Sequence, residues 1–259
     1  MGSFSRGYRF DLSGYFPRAI KTLCIACVAV FFLQEISELL FQASGRNFWL
    51  VWFGLVPGET THGFIWQPFT YLFLHGGIRH ILFNLLYLAM FGADLEHTWG
   101  SRRFYIYYFI CGVGAGIITV LVKVLLVAGK FSAPESLISP TIGASGAIYG
   151  VLLAVAVIMP HRQVWLFPLP VTISMRVFVI AMGAIEFFST IGTTGDGVSH
   201  VCHLGGMLVG YVYLRRGSHL YNFRNYFTDW KRRRLRKKFE VYVRDHQDKP
   251  PSHPDSWVN

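Results

Sequence analysis

Three short stretches hold the side chains able to do chemistry: "HGGIRHILFN" (75–84), "GASGAIYG" (143–150) and "SHVCHLGG" (199–206). The second sets Ser145 between Gly143 and Gly146 at the head of an apolar run, with Tyr149 one turn deeper on the same helical face. The third offers His203 as a base. The first carries His75, His80 and Asn84, the last two a turn apart. A serine hydroxyl is a weak nucleophile until a neighbouring base takes its proton, and attack on a peptide carbonyl builds an oxyanion that needs fixed donors. The residues therefore predict a Ser145–His203 dyad, with Asn84, His80 and the backbone N–H of Ser145 as oxyanion donors. Loop residue Asp196 is the one acid near the outer end of the last segment, so orientation of His203 is expected from packing against Tyr149.

What must position these residues is a set of membrane helices. The 259 residues are 53% hydrophobic and only 15% charged, where ordinary soluble domains carry near a quarter charged residues. Six apolar stretches, near 19–41, 68–95, 104–128, 145–159, 175–190 and 199–214, predict an all-α polytopic bundle. Lys and Arg cluster beside the predicted cytoplasmic ends, among them Arg18, Lys21, Arg102, Arg103, Arg162, Arg215 and Arg216. This places both termini in the cytoplasm, so the second, fourth and sixth segments enter from the outer side. Their polar clusters then fall within the first few turns, at one level of the outer leaflet. Gly146-x-x-x-Gly150 and Gly206-x-x-x-Gly210 are small-residue faces that let two helices approach at backbone contact. Lack of bulk around Ser145 is what would admit a histidine from the facing helix.

In these motifs, joined by "IWQPFTYLFLH" (65–75) and "LEHTWGS" (95–101), the chain resembles the rhomboid family of intramembrane serine proteases from about Trp66 to Tyr211. The resemblance implies a six-helix fold in which Ser145 is the nucleophile and His203 the base. It also makes His80 and Asn84 the oxyanion partners, His75 a supporting histidine, and Tyr149 the ring stacked on the base. It implies cleavage of transmembrane helices of other, single-pass proteins near their outer ends, without a cofactor or metal. One position departs from the family pattern: Gln67 follows Trp66 where many relatives have arginine. The aromatic loop "NFWLVWFGLVPG" (47–58) is expected at the lipid interface.

Other readings start from the same residues. A glycine-flanked serine in a membrane helix is by itself more often a packing residue, and "GASG" is not the strand-to-helix elbow of soluble hydrolases. A rhomboid-like protein that binds membrane helices without cutting them, and a metal-binding membrane protein or transporter, are the alternatives. His200, His203 and Cys202 suit a metal, but the sequence reading finds no carboxylate with them, since it places Glu35, Glu38 and Glu186 elsewhere or alone. His200 is then a structural or cavity-lining residue, and Glu96 satisfies a loop or backbone donor. Cys24, Cys27, Cys111 and Cys202 fall inside predicted helices and are expected to pack rather than form disulfides. Domain organisation is expected as a cytoplasmic segment (1–18), a membrane protease domain (19–216) and a basic cytoplasmic tail (217–259). The tail carries ten Lys and Arg against five Asp and Glu, including "KRRRLRKKFE". It suits anionic lipid headgroups, and no nucleic acid is expected. The first forty residues fit a cleaved signal peptide poorly, so a retained first helix is expected, and the lack of a long N-terminal targeting region favours a bacterial plasma membrane.

Overall fold

The computed structural model describes residues 16–166, 170–192 and 199–216. The chain divides into a unit Met1–Tyr213, which holds the elements below apart from the last three residues of the final helix, and a second, Leu214–Asn259. The basic tail (217–259) and Asp196 lie outside the described residues.

The fold is an all-α membrane bundle. Helix α1 (Arg18–Phe41) leads to α2 (Ala43–Phe53) and two short helices, α3 (Pro57–Thr61) and α4 (Gln67–Thr70). The next span is α5 (Ile78–Tyr87), continuing through a π turn at Leu88–Gly92 into α6 (Ala93–Trp99). Then come α7 (Ser101–Ala128), α8 (Ser145–Ile158), α9 (Met175–Ile191) and α10 (residues 200–216). Arg18–Phe41, Ile78–Trp99 and Ser101–Ala128 are each long and apolar enough to cross a bilayer. Leu39, Leu125, Ile180 and Phe188 are exposed on the helix surfaces, as lipid-facing side chains are.

Two sequence expectations need correction. Segment two does not form one helix from 68: α4 gives way to a 3₁₀ turn (Tyr71–Phe73) and extended chain, and α5 begins at Ile78. The Gly76-Gly77 pair explains the break, since Gly77 adopts φ 150°, a backbone that L side chains rarely take. His75 therefore precedes the helix instead of lying inside it. Between α8 and α9 the chain forms a small antiparallel hairpin, β1 (Gln163–Trp165) with β2 (Thr172–Ser174), not anticipated from the sequence. Its strands are too short for alternation to be read with confidence from pattern alone.

At the end of the bundle holding the hairpin, Arg162 pairs with Asp94 and its guanidinium lies over the Phe91 ring. Glu96, almost fully buried, accepts the Ala19 N–H at 2.8 Å, the Ile20 N–H at 3.0 Å and the Ser101 hydroxyl at 2.5 Å. Pro17 at the N-cap of α1 provides no side-chain cap, so a carboxylate from α6 satisfies the first-turn donors, with a favourable charge for that helix end.

Gln67 is wholly buried and ties the segment between α2 and α4 together. Its Oε1 accepts from Val56 N (3.0 Å) and Thr60 Oγ1 (2.8 Å), and its Nε2 donates to Val51 O (2.7 Å). The Trp66 indole donates to Trp52 O at 2.8 Å, and Trp52, Phe64 and Trp66 stack in sequence beside it.

Candidate active site

Placement of Ser145 begins in the loop before it. Leu55 and Thr141 exchange two backbone hydrogen bonds, each 2.9 Å, and Gly143 N donates to Tyr71 O at 2.9 Å. Gly143 holds φ 115°, and a Cβ there would lie 2.6 Å from His80 Nε2, so the site requires glycine both for conformation and for room. Ser145 then opens α8 as its first residue, leaving its N–H outside the intrahelical ladder.

Glycine brings the base to it. A Cβ on Gly206 would collide with the carbonyl oxygen of Gly146, and one on Gly150 would fall 3.1 Å from Gly206 O. Helices α8 and α10 thus cross at backbone contact, the geometry expected of small-residue membrane faces. His203 Nε2 comes to rest 2.7 Å from Ser145 Oγ. The Tyr149 ring stacks on the imidazole with centroids 4.3 Å apart and planes 10° from parallel.

The main correction concerns Glu186. It is not alone: α9 carries it, 5% exposed, against the far side of the same imidazole. Its Oε2 lies 3.0 Å from His203 Nδ1, an ion-pair contact, and 2.6 Å from His200 Nδ1. Its Oε1 accepts the Tyr149 hydroxyl in a short hydrogen bond. Tyr149 therefore has two contacts, ring on His203 and hydroxyl on the carboxylate. For Nε2 to accept the serine proton, the neutral imidazole must carry its hydrogen on Nδ1, the atom that faces Glu186. For orienting His203, only an acid near α10 in the chain, Asp196, had been weighed. One signal was available: a carboxylate within an apolar membrane helix is costly unless it has partners, and so marks a site.

The remaining predicted residues surround the hydroxyl unequally. His80, Asn84, Tyr149, Ser145 and His203 line one cavity of about 530 Å³, to which Met182 and Ser199 also contribute. Asn84 Nδ2 donates to His80 O at 2.8 Å, which fixes the amide plane. His80 Nδ1 accepts from Gly76 N at 3.2 Å. His75 stays behind this layer, 2% exposed, with its ring edge-on to His80 and its backbone N–H donating to Gln34 Oε1 at 3.1 Å. Gly146 packs against Cys202, Ala115 and Tyr71. The four cysteines are free thiols. A carboxylate oxygen of Glu186 and ring nitrogens of His200 and His203 lie within 4.8 Å of one another, so the carboxylate thought missing from a metal site is present.

Fold and site together define an integral membrane protein with a serine and a histidine joined across two glycine-lined helices. Residues 62–218 match the Rhomboid domain, and the chain belongs to the rhomboid family. It is 32% identical over 155 residues to Rhomboid-like protein 11, chloroplastic, of Arabidopsis thaliana, covering 57% of this chain and 51% of that protein. Against Rhomboid protease GluP of Bacillus subtilis it is 30% identical over 186 residues, 71% of this chain and 32% of that one. Against Rhomboid protease AarA of Providencia stuartii it is 27% identical over 198 residues, 73% and 68% respectively. The chain thus spans about half or less of the length of the first two relatives.

Proposed function

We propose that the chain is an intramembrane serine endopeptidase that cuts transmembrane helices of single-pass proteins near their outer ends. The observation that carries this reading is the 2.7 Å approach of His203 Nε2 to Ser145 Oγ at the wall of a cavity large enough for a segment of substrate. Ser145 Oγ attacks the scissile carbonyl as its proton passes to His203 Nε2, and the tetrahedral intermediate carries the negative charge on the former carbonyl oxygen. The Ser145 N–H, Asn84 Nδ2 and His80 are the donors aimed at that oxygen. His203 then returns its proton to the leaving amine, and water resolves the acyl-enzyme by the same route. Glu186 stabilises the imidazolium formed in each half-reaction, while Tyr149 holds both the ring and the carboxylate.

With the basic ends of the helices in the cytoplasm, the cavity opens to the outer side, and the tail rests on anionic headgroups. A bacterial plasma membrane suits this arrangement, although one of the named relatives is chloroplastic. A non-cutting binder of membrane helices would have no use for a serine activated in this way. The test is a fluorophosphonate probe on the detergent-solubilised chain. Labelling at Ser145 that disappears in His203→Ala is expected; equal labelling of both proteins, or none in wild type that also cuts no reporter helix, rejects the proposal.

A further inference from the structure

We infer that Glu186, His200 and His203 form an inhibitory binding site for a divalent transition-metal ion, with zinc the best match. Two imidazole nitrogens and one carboxylate oxygen are the donor set of borderline-soft cations, and three protein ligands with a position left for water is a common zinc arrangement. In tetrahedral zinc the bonds are about 2.0–2.2 Å, which puts donor atoms roughly 3.3–3.5 Å apart. Here Oε2 of Glu186 is 2.6 Å from His200 Nδ1 and 3.0 Å from His203 Nδ1, and a Glu186 oxygen and one ring nitrogen of each histidine lie within 4.8 Å of one another. Withdrawal of the carboxylate by less than about 1 Å would open a fitting space between them. Its other oxygen is already held by the Tyr149 hydroxyl, the kind of outer support that orients a ligating carboxylate. His203 Nδ1 is buried without a formed hydrogen bond, and His203 borders the cavity through which an ion would enter.

Binding would switch the chemistry off through a proton position. Neutral imidazole has one ring hydrogen, so a metal on Nδ1 leaves that hydrogen on Nε2, with no net proton gained or lost. Nε2 then donates to Ser145 Oγ where it previously accepted, and the serine has no base. The same holds for His200, whose hydrogen moves to its own Nε2. Inhibition rests on the protease reading; metal binding does not.

The two are separated by using two proteins. Cobalt(II) added to the full-length Ser145→Ala chain reports occupancy without any proteolysis, and a four-coordinate visible spectrum displaced by zinc is expected. Zinc added to wild type should inhibit cleavage of a reporter helix and be reversed by a chelator. His200→Asn removes one ligand while keeping a hydrogen-bonding group, and should weaken cobalt binding by at least about tenfold, since even outer-shell changes weaken metal sites 10–100-fold. It should raise the zinc concentration for half-inhibition, measured against its own zinc-free rate, by the same factor. Absence of the cobalt spectrum in Ser145→Ala, or the same zinc sensitivity in wild type and His200→Asn, overturns the inference. A cobalt spectrum in a chain that cuts nothing would retain the site and reject only the protease reading.

Discussion

Two glutamates are buried in this bundle to nearly the same extent, Glu96 at 2% and Glu186 at 5% exposure, yet their surroundings differ in kind. Glu96 faces donors that do not titrate in the ordinary range: two backbone N–H groups of α1 and the Ser101 hydroxyl. It closes a helix end and joins α6 to α1 and α7. Glu186 faces a phenol and two imidazoles, one of which touches Ser145 on its other side. A carboxylate whose partners can exchange protons next to a cavity is placed to serve the proposed reaction. One whose partners are two backbone amides and a serine hydroxyl braces the frame. The contrast predicts that changes around Glu186 alter rate with little effect on folding, and that changes around Glu96 do the reverse.

The largest effect should come from Ser145→Ala, which removes the nucleophile and should lower reporter cleavage by on the order of 10⁴-fold or more while the melting temperature in detergent stays near wild type. Retained cleavage would end the assignment of the outer cluster to catalysis. Asn84→Ala should lower turnover about 10²–10³-fold, the usual loss for one oxyanion donor, with a smaller change in apparent KM. A change confined to KM would move Asn84 from transition-state stabilisation to substrate binding. Glu186→Gln keeps an acceptor for Tyr149 and removes the charge facing His203. It should lower kcat by on the order of 10²-fold, less than the ~10⁴-fold of a fully formed triad because His203 Nδ1 makes no formed hydrogen bond. An unchanged kcat would return the site to a plain dyad. Glu96→Gln should leave kcat per folded molecule within about twofold and reduce stability by about 1–3 kcal/mol, read as a lower midpoint in denaturant titration. A lower kcat there at unchanged stability would erase the division between the two carboxylates.

Which residues meet in the candidate site was largely readable from the sequence. Ser145, Tyr149 and the paired glycines are local patterns on one helix, and matching depth on three helices brought His203 and Asn84 toward them. Helix limits at α1, α8 and α9 lie within a residue of those read from hydropathy, because apolar runs bounded by Pro, Gly or charge have sharp ends. Glu186 was missed for a physical reason. It lies well away from His203 along the chain, and only the packing of α9 against α8 carries it to the imidazole. Met182, one turn earlier on the same helix, lines the cavity. A helical face bearing both a cavity residue and a carboxylate was therefore the signal, but it could be recognised only once the cavity was known. Gln67 was likewise read only as a departure from the family pattern, because its three hydrogen bonds involve residues 51, 56 and 60, and no sequence period announces them.

That brace is made entirely of uncharged dipoles. A guanidinium in its place would respond to ionic strength and to the charge of nearby phospholipids, whereas an amide sealed from solvent responds to neither. The segment between α2 and α4 should therefore keep its shape in zwitterionic and acidic bilayers alike, and in dilute or concentrated buffer.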